Sequence, residues 1–510
     1  MNWVLAIASI PVPRFALILN SLIDNFQTST QNAPMTSAAS AYKAVLEHLK
    51  VAAPTIAKSI LNELYDQRNF LKLIASENYS SLTVQLAMGN LLTDKYSEGF
   101  PFHRFYAGCE NVDAIESEAA TLAQELFNMP HAYVQPHSGA DANLVAFWAI
   151  LTQRVQEPAV QRLSKKSIDE LSPEEFEEVR KELCNQTVMG LSLASGGHLT
   201  HGYRHNISAK MMRAVTYDTN PKTGLLDYDQ IAEIAKRERP LILMAGYSAY
   251  PRRINFAKMR SIANDVGAVL MVDMAHFSGL VAGKVFQGEE SPAGYADLVT
   301  STTHKTLRGP RGGIVLSSEE FAPAVDKGCP LVLGGPLPHV MAAKAIAFRE
   351  ALSKDFQKYA HKVVENARAL AEGFLKRGIK VVTGGTDNHL VLIDIADLGI
   401  TGRQAELGLR EAGLTVNRNM VPFDPNGPWY TSGVRLGPPA LTTRGMGTSE
   451  MDEIADILSE TLKNMKPMIV EKTGAPSRAK YKIDEKVLLK SRSRVQTLLD
   501  KYPLYAELEV

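Results

Sequence analysis

The sequence predicts an α/β protein with a mainly parallel sheet and a smaller C-terminal α/β unit, and three observations carry that prediction. From about residue 130 onward, short apolar runs alternate with segments of helical periodicity. Two of those runs, Leu241–Gly246 and Ala268–Asp273, are almost continuously apolar, as parallel strands covered on both faces must be. Near residue 345 the texture changes to a long helical stretch followed by short strands, which marks a second unit.

Composition bounds the function classes. The 510 residues carry 55 Lys+Arg against 55 Asp+Glu, so no surplus of positive charge exists to drive counterion release from nucleic acid or an acidic membrane. Hydrophobic content of 45% excludes a largely disordered chain, and a mean hydropathy of −0.10 excludes a polytopic membrane protein. Cys109, Cys184 and Cys329 lie far apart and show no zinc or redox spacing, which predicts a reducing, cytoplasmic setting.

In chain order, residues 3–23 form the most apolar run. Pro11 and Pro13 break it as a helix, and Arg14 would sit mid-bilayer at a cost of ~2.5–3.5 kcal/mol. No Lys or Arg precedes it, as a secretory signal would need. It reads either as an extension outside the fold, with Met35 as a later start, or as an atypical targeting segment. Residues 42–70 then read as helix, and IASENYS (74–80) as loop.

Strands are expected at His131–Gln135, Leu241–Gly246, Ala268–Asp273, Asp297–Thr300 and Gly313–Ser317, with helices at Asp141–Val155 and Phe256–Val266. A charged segment between Gln153 and Glu182 reads as a solvated helical insertion, with Ser172 capping a helix that opens on Pro173. The second unit should contain a helix over 346–374 ending at Lys376-Arg377-Gly378, strands at 380–383 and 390–395, a helix over 402–412, a strand near 414–417 and a helix over 449–465. The resulting division is an extension (1–40), a helical arm (41–80), a large α/β domain (81–345, with the insertion at about 153–190) and a small domain (346–510).

The densest chemistry is TSTTHKTLRGPRGG, Thr300–Gly313, which begins where an apolar strand ends, the edge at which α/β sheets bind ligands. Lys305 is its only ammonium; it either forms an imine with a carbonyl cofactor or joins the arginines in binding an anion. Asp273 ends a buried strand 32 residues earlier and needs a cation, either Lys305 itself or a protonated pyridine ring. VQPHSGADAN sets Ser138 and Gly139 at a strand-to-helix turn, as an anion site or an ordinary serine cap. In SGGHLTHGYRH, three imidazoles have helical spacing, but Gly196, Gly197 and Gly202 favour a loop that offers His198 as a flat stacking surface over a metal site.

The phrases IASENYS, LLTDKYSEGFPFHRFYAGCENVD, VQPHSGADAN, SGGHLTHG, VDMAHFSGLVAG, TTHKTLRGPRGG, GGTDNH and TSGVRLG occur in order from 74 to 437. Together they resemble the serine hydroxymethyltransferase family of fold-type I pyridoxal-phosphate enzymes, with wording similar to its chlamydial-type branch. The resemblance implies a large domain like that of aspartate aminotransferase and a reversible transfer of the serine hydroxymethyl carbon to tetrahydrofolate, giving glycine. That activity serves one-carbon metabolism and glycine biosynthesis. It implies that Lys305 holds the pyridoxal 5'-phosphate aldehyde, Asp273 pairs with the ring nitrogen and His198 stacks on the ring. Ser248 and His276 would bond the ring-oxygen region. Ser138, Gly139 and His304 would hold the phosphate, with Gly334 and Gly335 supplied by a neighbouring subunit. Arg435, with Ser76 close by, would bind the amino-acid carboxylate, and Leu193 and Asn419 would contact the folate.

Tyr96, Glu98 and Tyr106 match a tyrosine–glutamate–tyrosine set that reaches across a homodimer or dimer of dimers, with Glu98 as the acid–base candidate. His304 and Tyr106 stand beside Lys305 and Glu98 in the expected catalytic group, and no metal, nucleic acid or membrane partner is implied. Ala140, Phe105 and Pro438 depart from the usual family wording without touching Lys305, Asp273 or Arg435. Other fold-type I chemistry, such as aldol cleavage, racemisation or transamination, and a non-catalytic descendant are the rival readings.

Overall fold

The computed structural model describes residues 37–510. Most of the N-terminal extension, including the apolar run at 3–23, lies outside the described residues. Ala38–Ser40, assigned above to that extension, already belong to a helix, Ala38–Ala52, whose first turn is capped by the Ser37 hydroxyl. The single helix expected over 42–70 is two. Ala53 precedes Pro54 and is forced out of the helical region (φ −149°, ψ 67°), so a second helix, Pro54–Asn69, starts there.

The large sheet has seven strands: β1 (His131–Tyr133), β2 (Thr187–Leu191), β3 (Arg213–Tyr217), β4 (Ile242–Gly246), β5 (Val269–Asp273), β6 (Leu298–Thr302) and β7 (Gly313–Ser317). Their spatial order is β1-β7-β6-β5-β4-β2-β3. Only β7 runs antiparallel to its neighbours; the other six point the same way. Strands β2 and β3 were not foreseen, and β2 falls inside the stretch assigned above to the insertion, which therefore ends before Thr187. Within that segment, Ser172 caps Pro173–Cys184 through a reciprocal capping box with Glu175, as its sequence indicated.

Alternation along the central strands builds the two faces of the sheet. Leu243, Ala245, Leu270 and Val272 enter one core, together with the long helices that follow residue 338. Ile242, Met244, Val269 and Met271 enter the other, against the helix Gly139–Leu151. The helix expected over 346–374 is also two, Pro338–Ala351 and Lys354–Lys376. The Ser353 hydroxyl caps the second, a break that unbroken apolar periodicity conceals.

The C-terminal unit holds a four-stranded antiparallel sheet of β8 (Lys380–Val381), β9 (Val391–Asp394), β10 (Asn417–Asn419) and β11 (Gly433–Leu436), in the order β8-β9-β11-β10. It has its own core, which Leu71 and Leu73 join by pairing Leu71 with Leu414. A hairpin (Met465–Ile469 with Pro476–Ile483) and a final helix, Glu485–Lys501, complete the unit.

The central register is level where it matters: Gly246 pairs with Asp273, and Asp273 with Thr300. Gly246 has φ +135°, and a Cβ there would lie 2.2 Å from the Asp273 carbonyl oxygen. Gly246→Ala is therefore expected to destabilise the protein by about 2–4 kcal/mol, combining overpacking with a disfavoured backbone region. Denaturation midpoints of holoenzyme and variant check this, and an unchanged midpoint contradicts the close approach.

Candidate active site

Each parallel strand that reaches the site delivers a polar residue at its C-terminal end. Ser138 follows β1, His198 follows β2, Ser248 follows β4, Asp273 ends β5 and Lys305 follows β6. Antiparallel β7 begins at the same edge, so Gly313 lies beside the Ser138 turn.

Asp273 is buried and held by three donors. Its Oδ2 accepts from Asn143 Nδ2 at 2.9 Å and from His201 Nε2 at 3.2 Å, and its Oδ1 accepts from the Ala275 N–H at 3.0 Å. Burial alone would raise its pKa, but the His201 and Asn143 hydrogen bonds and the nearby imidazoles outweigh it and hold the carboxyl far below the usual range. Asn143 is itself fully used, donating also to Thr200 Oγ1 (2.7 Å) and accepting from Thr300 Oγ1 (2.6 Å). His198 Nδ1 accepts from the Thr200 N–H at 3.2 Å, and burial lowers the His198 pKa to about 4, so a neutral ring stands beside the carboxylate. His198, His201 and Asp273 bring potential ligand atoms within 4.8 Å of one another. The His201 and Asp273 atoms of that group are already joined by their hydrogen bond. His205 is exposed and takes no part.

Opposite this carboxylate stand cations. Lys305 is fully desolvated, which lowers its pKa to about 8 despite the opposing charge of Asp273. Arg435, on β11, donates Nη1 to the Ser248 carbonyl at 2.6 Å and Nε to Asn417 Oδ1 at 3.2 Å. Burial lowers its pKa to about 10. It has no ion-pair partner among the described residues. A half-buried guanidinium without a carboxylate is costly until an anion arrives. Ser248 thus meets the site through its carbonyl. His276 Nδ1 lies 3.2 Å from His389 Nε2, the two rings stacked and both kept neutral by burial.

Ser138 caps Gly139–Leu151, its hydroxyl accepting from the Asp141 N–H and donating to Asp141 Oδ2 at 2.9 Å. The turn has room only for glycine: a Cβ on Gly139 would lie 2.6 Å from Thr302 Cγ2, and one on Gly313 would lie 2.2 Å from the Ser138 carbonyl. Leu193, His198, Ser248 and Asn419 line one cavity of about 270 Å³. Ser76, His304 and Arg311 line another of about 370 Å³. A larger cavity of about 630 Å³ lies between the arm helices and Tyr505 and holds none of the expected site residues.

Tyr96, Glu98 and Tyr106 form their own group, the two phenols donating to Glu98 at 3.3 and 3.2 Å. Their hydrogen bonds do not reach Lys305, Asp273 or Arg435, and Tyr96 is 57% exposed. Gly335 lies against Tyr96, and its carbonyl is 3.2 Å from His137 Nε2 of the same chain. Sequence reasoning did not assign Asn143, His201 or His389 to the site, although all three sit inside quoted motifs.

A lysine of lowered pKa in the field of an ionised carboxylate, a neutral imidazole and a serine-capped helix N-terminus together make up the donor set that pyridoxal phosphate needs. Fold and site together define a fold-type I pyridoxal-phosphate enzyme. The serine hydroxymethyltransferase family profile matches residues 49–158 and 182–458. A serine hydroxymethyltransferase of Mycolicibacterium smegmatis is 57% identical over 92% of this chain and 94% of its own length. Those of Chlamydia trachomatis and Treponema pallidum are 55% and 58% identical over 96% and 92% of this chain, and over 99% and 82% of their own lengths. The chain belongs to the serine hydroxymethyltransferase family, whose enzymes interconvert serine and glycine using pyridoxal phosphate, with tetrahydrofolate as one-carbon acceptor. Residues 159–181, inside the charged insertion, fall outside the profile match.

The depressed Lys305 pKa has a measurable sign. Between about 8 and 10.5 the unfolded chain binds a proton that the folded apoprotein has released, so wild-type stability rises with pH through that window. Lys305→Met is expected to stabilise the apoprotein by about 3 kcal/mol below pH 8, an advantage that fades toward pH 10.5. Denaturant titrations of both proteins at pH 7 and pH 10 check it; a constant difference contradicts the burial of that charge.

Proposed function

We propose that this site carries out the family reaction with the following division of labour. Lys305 would hold the aldehyde end of the cofactor, Asp273 its ring nitrogen, and Ser138 and Gly139 its phosphate, with His304 close by. His198 would lie against the ring, with His276 and Ser248 on its oxygen side. When bound, pyridoxal phosphate supplies a sink for the electron pair left as the serine Cα–Cβ bond breaks.

The observation that carries this reading is the half-buried Arg435, which has no ion-pair partner among the described residues. Its planar fork suits a carboxylate, and fixing the serine carboxylate there orients the bonds at Cα. Ser76, three residues beyond the Leu73 carbonyl that accepts from Gly437 N–H, would assist. Asp273, kept ionised by Asn143 and His201, would hold a proton on the ring nitrogen throughout. Leu193 and Asn419 would contact the folate in the cavity that His198 shares.

The acid–base step at the serine hydroxyl and the folate nitrogen belongs to Glu98, with Tyr96 and Tyr106 fixing its two oxygens. Their exposure, and the lack of hydrogen bonds from them to this chain's own Lys305, support a homodimer in which Tyr96, Glu98, Tyr106, Gly334 and Gly335 complete the neighbouring subunit's site. Exposed Val45, Val51 and Ile56 on the arm helices add apolar surface for such an assembly. Two main cores support a large and a small domain; Leu71 and Leu73 of the arm enter the small domain's core, and Phe348 to Val364 enter the large domain's. Three free cysteines, and the lack among the described residues of any helix able to cross a membrane, support a cytoplasmic setting.

Transfer of label from [3-¹⁴C]serine should require tetrahydrofolate, and folate-independent turnover at full rate contradicts the reading. In the same assay Arg435→Lys should raise the serine requirement about 100-fold, because a point charge cannot reproduce the fork. Mixing inactive Lys305→Ala and Glu98→Gln subunits should restore about a quarter of wild-type activity, since random pairing leaves one intact site in half of the dimers. A mixture as inactive as its parents places Glu98 in its own subunit's site.

A further inference from the structure

Lys344 is fully buried in the helix Pro338–Ala351 and takes no part in the reaction assigned above. Its ammonium donates to three backbone carbonyls: Val134 at 2.6 Å, Pro136 at 3.0 Å and Gly313 at 2.8 Å. All three N–H bonds of the group are thereby used. Val134 and Pro136 lie on the segment between β1 and the Ser138 turn, and Gly313 opens β7 beside that turn. Pro136 stands two residues before Ser138, and its carbonyl also accepts the Gly313 N–H at 2.8 Å. A third segment closes the arrangement: the Thr303 N–H donates to the Gly312 carbonyl at 3.1 Å, and a Cβ on Gly312 would meet Lys344 Cε at 2.5 Å. The ammonium therefore sits where the three backbone segments that present Ser138, His304 and Gly313 are tied together.

Carbonyl dipoles solvate a buried cation but do not neutralise it. Lys344 has no salt-bridge partner among the described residues. The carboxylate that acts on it, Glu116, is already committed to Arg104 at 2.6 Å and Gln135 at 2.7 Å. His304 and Arg311, the other titratable groups of this corner, are neutral and cationic respectively, and the Lys344 charge is one of those depressing His304. Whenever Lys344 is protonated, the corner thus carries excess positive charge directly behind the turn.

We propose that Lys344 is a positioning residue for the cofactor phosphate, setting the Ser138–Gly139 turn through its three carbonyl bonds and supplying positive charge behind it when the phosphate dianion favours its protonated form. This rests on the assignment of the phosphate to that turn. The fully satisfied ammonium makes no contact of its own with the phosphate oxygens; it acts through the backbone and through its field.

The test compares binding of pyridoxal phosphate and of pyridoxal, which lacks the phosphate, to apoenzyme carrying Lys344→Gln, Lys344→Met or Ser138→Ala. Lys344→Gln keeps two N–H donors and removes the charge. It is expected to weaken pyridoxal phosphate binding by about tenfold or more while changing pyridoxal binding by less than about twofold. Equal loss for both ligands, or no loss for either, overturns the proposal. A wild type that does not prefer pyridoxal phosphate over pyridoxal overturns the phosphate assignment itself. Selective loss in Ser138→Ala but not in Lys344→Gln overturns only the role of Lys344. If neither Lys344 variant folds, ³¹P spectra of the wild-type holoenzyme decide: a phosphate dianionic from about pH 6 to 8 supports the proposal, and titration near the free value of about 6 refutes it.

Discussion

A carboxylate kept ionised at the end of a buried strand is the constraint on which the rest of this structure depends. Asp273 could relieve its desolvation by taking up a proton, and a neutral acid there could no longer hold positive charge on a heterocycle. The protein prevents this with donors that cannot turn away. Asn143 is pinned by Thr300, His201 has its other nitrogen beside the His198 N–H, and the Ala275 amide is part of the backbone. Because β4, β5 and β6 end level, the same geometry points the chain after each strand toward one shared space.

The second theme is charge held in waiting. Lys305 and Arg435 are half-buried, and desolvation depresses both. Lys344 is treated likewise, its pKa pushed down to about 7. Such groups destabilise the empty fold and are compensated when anions arrive, so folding free energy is held in reserve as binding free energy. The surrounding scaffold is rigid enough to hold them: the central strands are covered on both faces, and the glycines at 139, 246 and 313 allow backbone contacts that any side chain would prevent.

What the sequence made legible follows from burial pattern. Leu241–Gly246 and Ala268–Asp273 announced themselves because strands covered on both faces must be continuously apolar. Strand β3 did not, because it lies at the sheet edge and mixes exposed with half-buried positions; β2 was hidden behind a charged helix and contains Gly190. The helix break at Pro54 was readable from the proline alone, whereas that at Ser353 lay within unbroken apolar periodicity. In the site, Lys305 and Asp273 were visible as charges at or near strand ends, and Arg435 through the family-like wording TSGVRLG. Asn143, His201, His389 and Lys344 were not, because each acts by touching a residue distant in sequence, and no local pattern marks such contacts. The expectation of a stacking imidazole at His198 was drawn from its glycines; the carboxylate that its neighbour His201 would meet could be seen only in three dimensions.

The charged segment between Glu157 and Gln186 connects the far end of the helix Gly139–Leu151 to the start of β2. That helix leaves the sheet at the reactive edge and runs back along it, so the segment sits at the opposite rim, where parallel strands begin. The position is insulated from turnover, and part of it lies outside the family profile match. A reporter or affinity module spliced between its two helices would ride on the working enzyme without approaching the pocket, which makes this rim the natural handle for immobilising or labelling the protein.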